Sequence, residues 1–293
     1  MSPDEYCRER VAQSGPDLRY SIRLLSVERR RAVTALHAYS REIEDAVRAA
    51  SDPGVARVRL GWWRGELASV FAGTPSHPVA LALKASTRVY PLPREPLENV
   101  IVGREGEVDR TRFHDFAALE AWCDRVAGGV AMAAAALFGY EDPATPGVAR
   151  ELGIAMELTR MLRDVGDDAR RGRLRLPQDE LARFEVDAPE VLGLRTSPRF
   201  TALLAMQAER IQRMFARALA RLPAADRHVQ APGLALAAIH RALLDEIARD
   251  GFRVLERRVA LTPVRKLWIA TRTLRAASRR PGQHRIGVDR KFR

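Results

Sequence analysis

The chain has almost no cysteine: among 293 residues only Cys7 and Cys123 occur. Two isolated thiols give neither a disulfide framework nor metal-ligand spacing. That excludes a disulfide-stapled scaffold and a cysteine-bound metal cluster, and it fits a reducing compartment. Glycine and proline are modest, at 19 and 17 residues, so disorder is not expected. No uninterrupted apolar run approaches the ~18 residues of a membrane span. The longest candidates, in GVAMAAAALFGY and GLALAAIHRALL, are short and broken by polar groups. The N-terminal MSPDEYCRER has acids and no apolar block, so no secretory leader is expected. Lysine is scarce, with only Lys84, Lys266 and Lys291, so arginine carries the net charge of +12. That charge is uneven: from Arg265 to Arg293, ten Lys/Arg face one acid, Asp289. Such a segment suits an anionic membrane surface, or is a solvated tail in an arginine-rich sequence. It has no interleaved aromatics beyond Trp268 and Phe292, so nucleic acid is not an expected partner. The expected location is cytoplasmic, with peripheral contact at the inner face of a membrane as the sharper alternative.

What the chain does have is helical periodicity, with 46% hydrophobic residues to fill a large core. Residues 28–50 read as a helix stopped by SDPG, and 54–73 as a second ended by Gly73. A helix pair follows around 78–108, then an Ala/Gly-rich helix over 115–138 and a long helix over 147–171. In 200–222 the residues Phe200, Leu203, Leu204, Ile211, Met214, Phe215, Leu219 and Leu222 form one stripe, the mark of an amphipathic helix. Helices near 232–249 and 263–278 complete the set. Strand alternation and internal repeats are absent, and no linker separates blocks of different composition. The expectation is one all-α domain over 1–280, followed by a loose basic tail over 281–293.

The segment RDVGDDARRGR, residues 163–173, carries the chemistry. Asp164 and Asp168 stand four apart on a predicted helix, so both carboxylates face one way, with Asp167 beside them. Paired hard oxygen ligands suit Mg²⁺, which bridges carboxylates to substrate phosphates. Arg163, Arg170, Arg171 and Arg173 suit diphosphate oxygens through bidentate hydrogen bonds. By spacing alone, a solvated helix end laced with salt bridges accounts for the cluster equally well.

The surrounding text, ELGIAMELTRMLRDVGDDARRGRLRLPQDELARF (151–184), resembles the second aspartate-rich segment of the squalene/phytoene synthase family. The resemblance runs from about Tyr6 to Ala276. SDPGVARVRLGWWRGEL (51–67), FAGTPSHPVALAL (71–83) and RDGFRVLERRVALTPVRKLWIA (249–270) are most similar to the bacterial hopanoid-pathway branch that makes presqualene diphosphate. The resemblance implies a single-domain isoprenoid synthase (terpenoid synthase) helical bundle around a central cavity. It implies two acidic segments holding two or three Mg²⁺ ions and a Mg-dependent prenyl transfer. The implied reaction joins two farnesyl diphosphates head to head, with no NAD(P)H for that step. It further implies a dry, apolar cavity, which the small-residue face of VAGGVAMAAAALFG (126–139) can line; close helix packing explains those residues as readily.

Carried over residue by residue, the resemblance places Asp164 and Asp168 at metal, with Glu44 and Asp45 helping from the first acidic segment. It places Ser21, Arg41, Arg163 and Arg171 at diphosphate, and Arg41 and Trp122 in catalytic positions. His37, one helical turn before Arg41 on the expected cavity side, is a candidate catalytic general base or a satisfied core or surface histidine. The first acidic segment departs from the family pattern. It reads SREIEDAVRAA (40–50), with Glu44 for the first metal aspartate and Arg48 for the last. Glu44 and Arg48 then form an i,i+4 pair, as on a helix surface. Tyrosines of the family pattern become His37, Trp122 and Arg175. The glutamine and asparagine before RD become Glu157 and Arg160, and an acidic pair survives as Glu105 and Glu107. Two readings follow. Arginine can replace metal charge at a diphosphate, so that chemistry persists with fewer Mg²⁺ ions. Alternatively, the fold binds an isoprenoid diphosphate or a partner protein without turnover.

Overall fold

In a computed structural model, which describes residues 1–13, 17–109 and 112–277, the chain is 73% helical, and no strand occurs among the described residues. The all-α expectation therefore holds, while the expected basic tail, 281–293, lies outside the described residues.

The first element is one that periodicity missed. Helix α1 (Pro3–Ala12) is mostly polar and buries only Cys7 and Val11; it starts because Ser2 and Glu5 form a reciprocal capping box. The short α2 (Asp17–Ser21) follows. Helix α3 (Val27–Arg48) is capped by Ser26 and buries one long face. Asp52 accepts from two backbone amides to start α4 (Pro53–Ala72), and Gly73, at φ 104°, ends it in the left-handed region that glycine tolerates. The expected pair near 78–108 is α5 (Pro78–Thr87) and α6 (Arg94–Asp109).

The expected helix over 115–138 is interrupted. It comprises α7 (Phe116–Cys123), a π-helical turn (Asp124–Gly128) and α8 (Gly129–Phe138). As one run, Phe116–Phe138 reaches the length and mean hydropathy (1.2) of a membrane span, although no single apolar block in the sequence does. With 61% of that window buried inside the fold, core packing accounts for its apolarity. The expected helix over 147–171 also breaks. Helix α9 (Thr145–Arg163) ends at Asp164, whose φ and ψ of −93° and 8° leave the helical region, and α10 (Val165–Ala169) resumes after it. Two short helices, α11 (Gln178–Arg183) and α12 (Ala188–Leu192), lead into α13 (Pro198–Arg221). Its expected stripe is buried, with Phe200, Leu203, Leu204 and Phe215 fully inside and Leu219 partly so. Helices α14 (Ala231–Arg249) and α15 (Pro263–Ala277) close the bundle.

Two apolar cores result. One is built by α3, α4, α5, α6 and α8 around Leu36, Tyr39, Leu67 and Leu97. The other is built by α9, α13 and α14 around Leu162, Phe200, Phe215 and Leu244. At about 1.5–3 kcal/mol per fully buried large side chain, each stabilises its own half of the bundle. Between them lies a cavity of about 780 Å³, walled by residues from both.

Candidate active site

Helix α9 runs the length of the cavity and changes character along it. Ala149, Leu152, Gly153 and Met156 line the wall first, then Glu157, Arg160, Arg163 and, at the break, Asp164. At 1.5 Å per residue, the span from Ala149 to Arg163 is about 21 Å. The apolar half is completed by Val130, Ala131 and Ala134 of α8 and by Leu234, Leu236 and Leu243 of α14. Phe138, Leu222 and Gln230 also line it; Gln230 is buried and donates to the carbonyls of Ala135 (3.1 Å) and Gly139 (2.8 Å).

The Ala/Gly-rich segment serves both expected purposes, on different faces. Val126, Ala127, Val130, Ala131 and Ala134 face the cavity. Gly129 packs against the backbone of Pro96, where a Cβ would meet the carbonyl at 3.0 Å. Gly153 packs so close to the π-helical turn that a Cβ would lie 2.8 Å from the Ala127 carbonyl.

The charged half holds eight cationic side chains (Arg41, Arg48, Arg104, Arg160, Arg163, Arg171, Arg258 and Lys266) against six carboxylates (Asp17, Glu44, Asp45, Glu157, Asp164 and Asp167). The excess is two positive charges. Its hub is Glu44, buried at 4% exposure. Arg48 (2.9 Å) and Arg160 (3.0 Å) share its Oε1, Arg41 meets Oε2 at 2.7 Å, and Arg104 approaches Oε2 at 3.9 Å. The Glu44–Arg48 pair read from the sequence is therefore real but not on the surface. Burial alone would raise the Glu44 carboxyl, yet Arg160, Arg104 and Arg41 outweigh it and hold the group well below the usual carboxylate range. Arg160 also grips Glu157 through two hydrogen bonds, at 2.9 and 2.5 Å, and the carboxylates keep its guanidinium protonated despite burial. Arg104, 3% exposed, completes the knot by pairing with Glu107 at 2.7 Å.

The RDVGDDARRGR segment adds Arg163, Asp164, Asp167 and Arg171 to the cavity wall. Both oxygens of Asp164 accept from Arg163 at 2.7 Å, and Oδ1 also accepts from Arg258 at 3.2 Å. Burial tends to raise the Asp164 carboxyl, but Arg163 and Arg160 lower it more. Arg258 reaches Asp167 as well, at 3.3 Å. Gly166 makes this approach possible: a Cβ there would sit 2.2 Å from the carbonyl of Val254. Only glycine lets the 252–259 loop press onto α10 and deliver Arg258.

Several expected site residues occupy other places. Asp168 does not share the cavity wall with Asp164. It lines a small neighbouring pocket with Arg173 and Arg175, and Arg175 approaches it at 3.4 Å. Burial raises its carboxyl, with Arg175 and Arg48 only partly offsetting the rise. Trp122 is buried behind the cavity rather than on it. Its indole N–H donates to the Gly103 carbonyl at 3.1 Å, and its ring lies under Arg104 and Arg175, 5.1 and 5.5 Å from the centroid. It packs under these two arginines and is not among the residues that line the cavity. Ser21 is 1% exposed and turns its hydroxyl back onto the Asp17 carbonyl at 2.9 Å, away from the cavity wall. Asp45 lines the cavity but is held, with Glu42, by Arg10 of α1. Arg41, Arg163, Arg171 and His37 do line the cavity. Burial, then Arg41 and His240, lower the His37 imidazole to about 4, so it is neutral at physiological pH.

Sequence reading missed Arg10, Arg104, Arg258 and Lys266. Only the long match over 249–270 hinted at the last two.

The donor set does not fit a divalent cation. No group of three or more metal-ligating side chains converges among the described residues. Glu44, Asp45, Asp164 and Asp168 are each engaged by arginine instead. A cation drawn to Glu44 would face Arg48 and Arg160 on the same oxygen.

Comparisons agree with the fold. The family model for squalene/phytoene synthase matches residues 11–265. A phytoene synthase of Arthrospira platensis is 30% identical over 276 residues, covering 90% of this chain and 89% of that relative. A phytoene synthase of Mycobacterium bovis is 33% identical over 258 residues, covering 87% and 85%. Among solved structures, a dehydrosqualene synthase in complex with ligand superposes with a TM-score of 0.84 at 22% identity, over 94% of this chain and 96% of that one. The squalene synthase HpnC of Alicyclobacillus acidocaldarius does so with 0.74 at 20% identity, over 85% and 94%.

Proposed function

The chain belongs to the squalene/phytoene synthase family, and from that premise we propose that its cavity takes an allylic isoprenoid diphosphate, farnesyl diphosphate by preference, and condenses two of them head to head. Family and fold are of the prenyltransferase type, and the family binds allylic diphosphates and uses a divalent metal to do so. One observation carries the reading: a single cavity joins an arginine-rich end with surplus positive charge to an apolar wall of small residues.

In this reading the diphosphate sits among Arg41, Arg163 and Arg171, with the chain along α8, α9 and α14. The allylic C–O bond breaks and its electron pair leaves on the diphosphate, where guanidinium groups stabilise the developing charge. The allylic cation adds to the double bond of the second molecule, and loss of a proton closes a cyclopropane, giving presqualene diphosphate. His37, neutral and facing the cavity, is placed to accept that proton. The apolar wall keeps water from the cation. No reductant is needed for this step. Mg²⁺, expected from the resemblance, is assigned no role here because the carboxylates do not fit it.

The test is product analysis by mass spectrometry after incubation with farnesyl or geranylgeranyl diphosphate. Presqualene diphosphate supports the reading; phytoene or dehydrosqualene keeps the reaction class and corrects the product. No diphosphate release from either substrate sinks it. The engaged carboxylates favour one alternative, a member that binds the diphosphate without turnover. Turnover that disappears in Asp164→Asn and Asp168→Asn removes that alternative.

We also place the protein in the cytoplasm, at an anionic membrane face. Helix α15 carries no acid, exposes Val264, Leu267 and Trp268, and sets Arg265, Arg272 and Arg275 around them. Co-sedimentation with phosphatidylserine vesicles that Trp268→Ala does not weaken counts against this placement.

A further inference from the structure

We infer that the charged end of the cavity binds the diphosphate group through guanidinium groups alone, with no divalent ion contributing to affinity. The inference rests on the allylic-diphosphate reading above and concerns how that site holds its ligand.

The carboxylates are spent on arginine. Both oxygens of Glu44 are engaged: Oε1 accepts from Arg48 and Arg160, and Oε2 from Arg41. Asp164 is covered by Arg163 and Arg258. Mg²⁺ demands near-octahedral oxygen ligation, and even with water and phosphate filling part of that shell, a carboxylate ligand here would first have to be taken from the arginines that hold it.

Donors, by contrast, are left over. Arg104 is 3% exposed and lines the cavity, yet its Nε–H has no hydrogen-bond partner. The Nε–H of Arg41, also on the cavity wall, is likewise unsatisfied. Arg171 lines the cavity with no ion-pair partner among the described residues. Buried donors without acceptors are costly in a finished structure, and an anion supplies what they lack. The surplus of two positive charges in the lining matches most of the charge of a diphosphate group. Guanidinium and phosphate oxygens pair bidentately, so several arginines can enclose the group without a bridging metal.

The test is isothermal titration of the full chain with inorganic diphosphate and, separately, farnesyl thiolodiphosphate, first in EDTA and then in MgCl₂. Binding in EDTA that MgCl₂ leaves unchanged or weakens is the expected result. Binding seen only with MgCl₂, or strengthened by it roughly threefold or more, overturns this inference and leaves the diphosphate reading standing. No binding of either probe under either condition overturns both. Arg171→Gln and Arg41→Gln, each checked for an unchanged melting profile, should weaken binding in EDTA roughly tenfold, the effect of losing one charge-assisted hydrogen bond. Unchanged affinity in both variants also overturns it.

Discussion

Replacing Glu44 by Gln tests the hub of the site directly. The substitution keeps size and removes the charge on which Arg41, Arg48, Arg104 and Arg160 converge. Uncoupling one partner of a buried ion pair costs about 3–5 kcal/mol, because the opposite charges stay buried without compensation. In a domain of this size each kcal/mol is worth about 2 °C in Tm, so a fall of roughly 6–10 °C is expected at pH 7 by thermal melting. The pH dependence has a definite sign. The Glu44 carboxyl is depressed in the folded state, so its contribution is complete above the unfolded value near 4.5 and fades as pH falls toward the lower folded value. The gap between parent and variant should stay constant from pH 8 to about 5 and narrow below that. Ligand binding adds an independent sign. If Glu44 restrains arginines that otherwise meet diphosphate, the variant binds inorganic diphosphate more tightly in EDTA. If Glu44 holds a metal that holds the diphosphate, the variant binds less tightly. A variant melting within about 2 °C of the parent at pH 7 would refute the hub argument.

Gly166→Ala should drive a Cβ into the Val254 carbonyl, push the 252–259 loop off α10 and loosen Arg258 from Asp164. A loss of about 1–3 kcal/mol in urea unfolding, with faster proteolysis near Arg258, is the expected outcome. Trp122→Phe leaves the Gly103 carbonyl without its donor and should cost about 1–3 kcal/mol in the same assay. It should also weaken diphosphate binding while Asp168→Asn at the neighbouring pocket does not. His37 is neutral in the fold down to about 4, whereas an exposed histidine titrates near 6.5, so the fold loses stability as pH drops between those values. His37→Gln, measured by melts at pH 7 and 4.5, should lose less over that window than the parent; an equal loss refutes the assignment.

Much of the bundle was legible in the sequence. Helices α3, α4, α13, α14 and α15 are all expected from the sequence, and Gly73 marks an end that the structure keeps. Helix α1 did not, because it buries only two residues and is otherwise polar. The break at Asp164 did not either. The motif reads as one continuous helix, and the turn falls beside Gly166, where a loop from residues 254–258 packs against the backbone. The site was legible in composition but not in pairing. Asp164, Arg163, Glu44 and Arg41 were all expected at the cavity, and all are there. Which carboxylate meets which arginine depends on contacts such as Arg160–Glu44 and Arg258–Asp164, which span 116 and 94 residues. No local spacing encodes such distances.

Those long contacts also change the meaning of the departures in the first acidic segment. Taken singly, Arg48 is a cation where a carboxylate was expected, and Arg160 is a cation where an amide was expected. In the folded chain both donate to the same oxygen of Glu44, at 2.9 and 3.0 Å, and Glu157 takes the other side of Arg160. Without Glu44, Arg48 would lose the carboxylate it donates to and Arg160 would keep only Glu157; without the two arginines, buried Glu44 would keep only Arg41 and the more distant Arg104. Together they form one closed device that bridges α3 and α9 in the cavity wall. A dication placed between two acidic helices would neutralise their repulsion and draw them together. Here the guanidinium groups do this permanently, and the donors that remain, on Arg41, Arg104 and Arg171, are what the cavity can offer an anion. Charge neutralisation across the two helices is thus built into the chain, and a ligand binding there meets a preorganised cationic surface and need not bring its own metal.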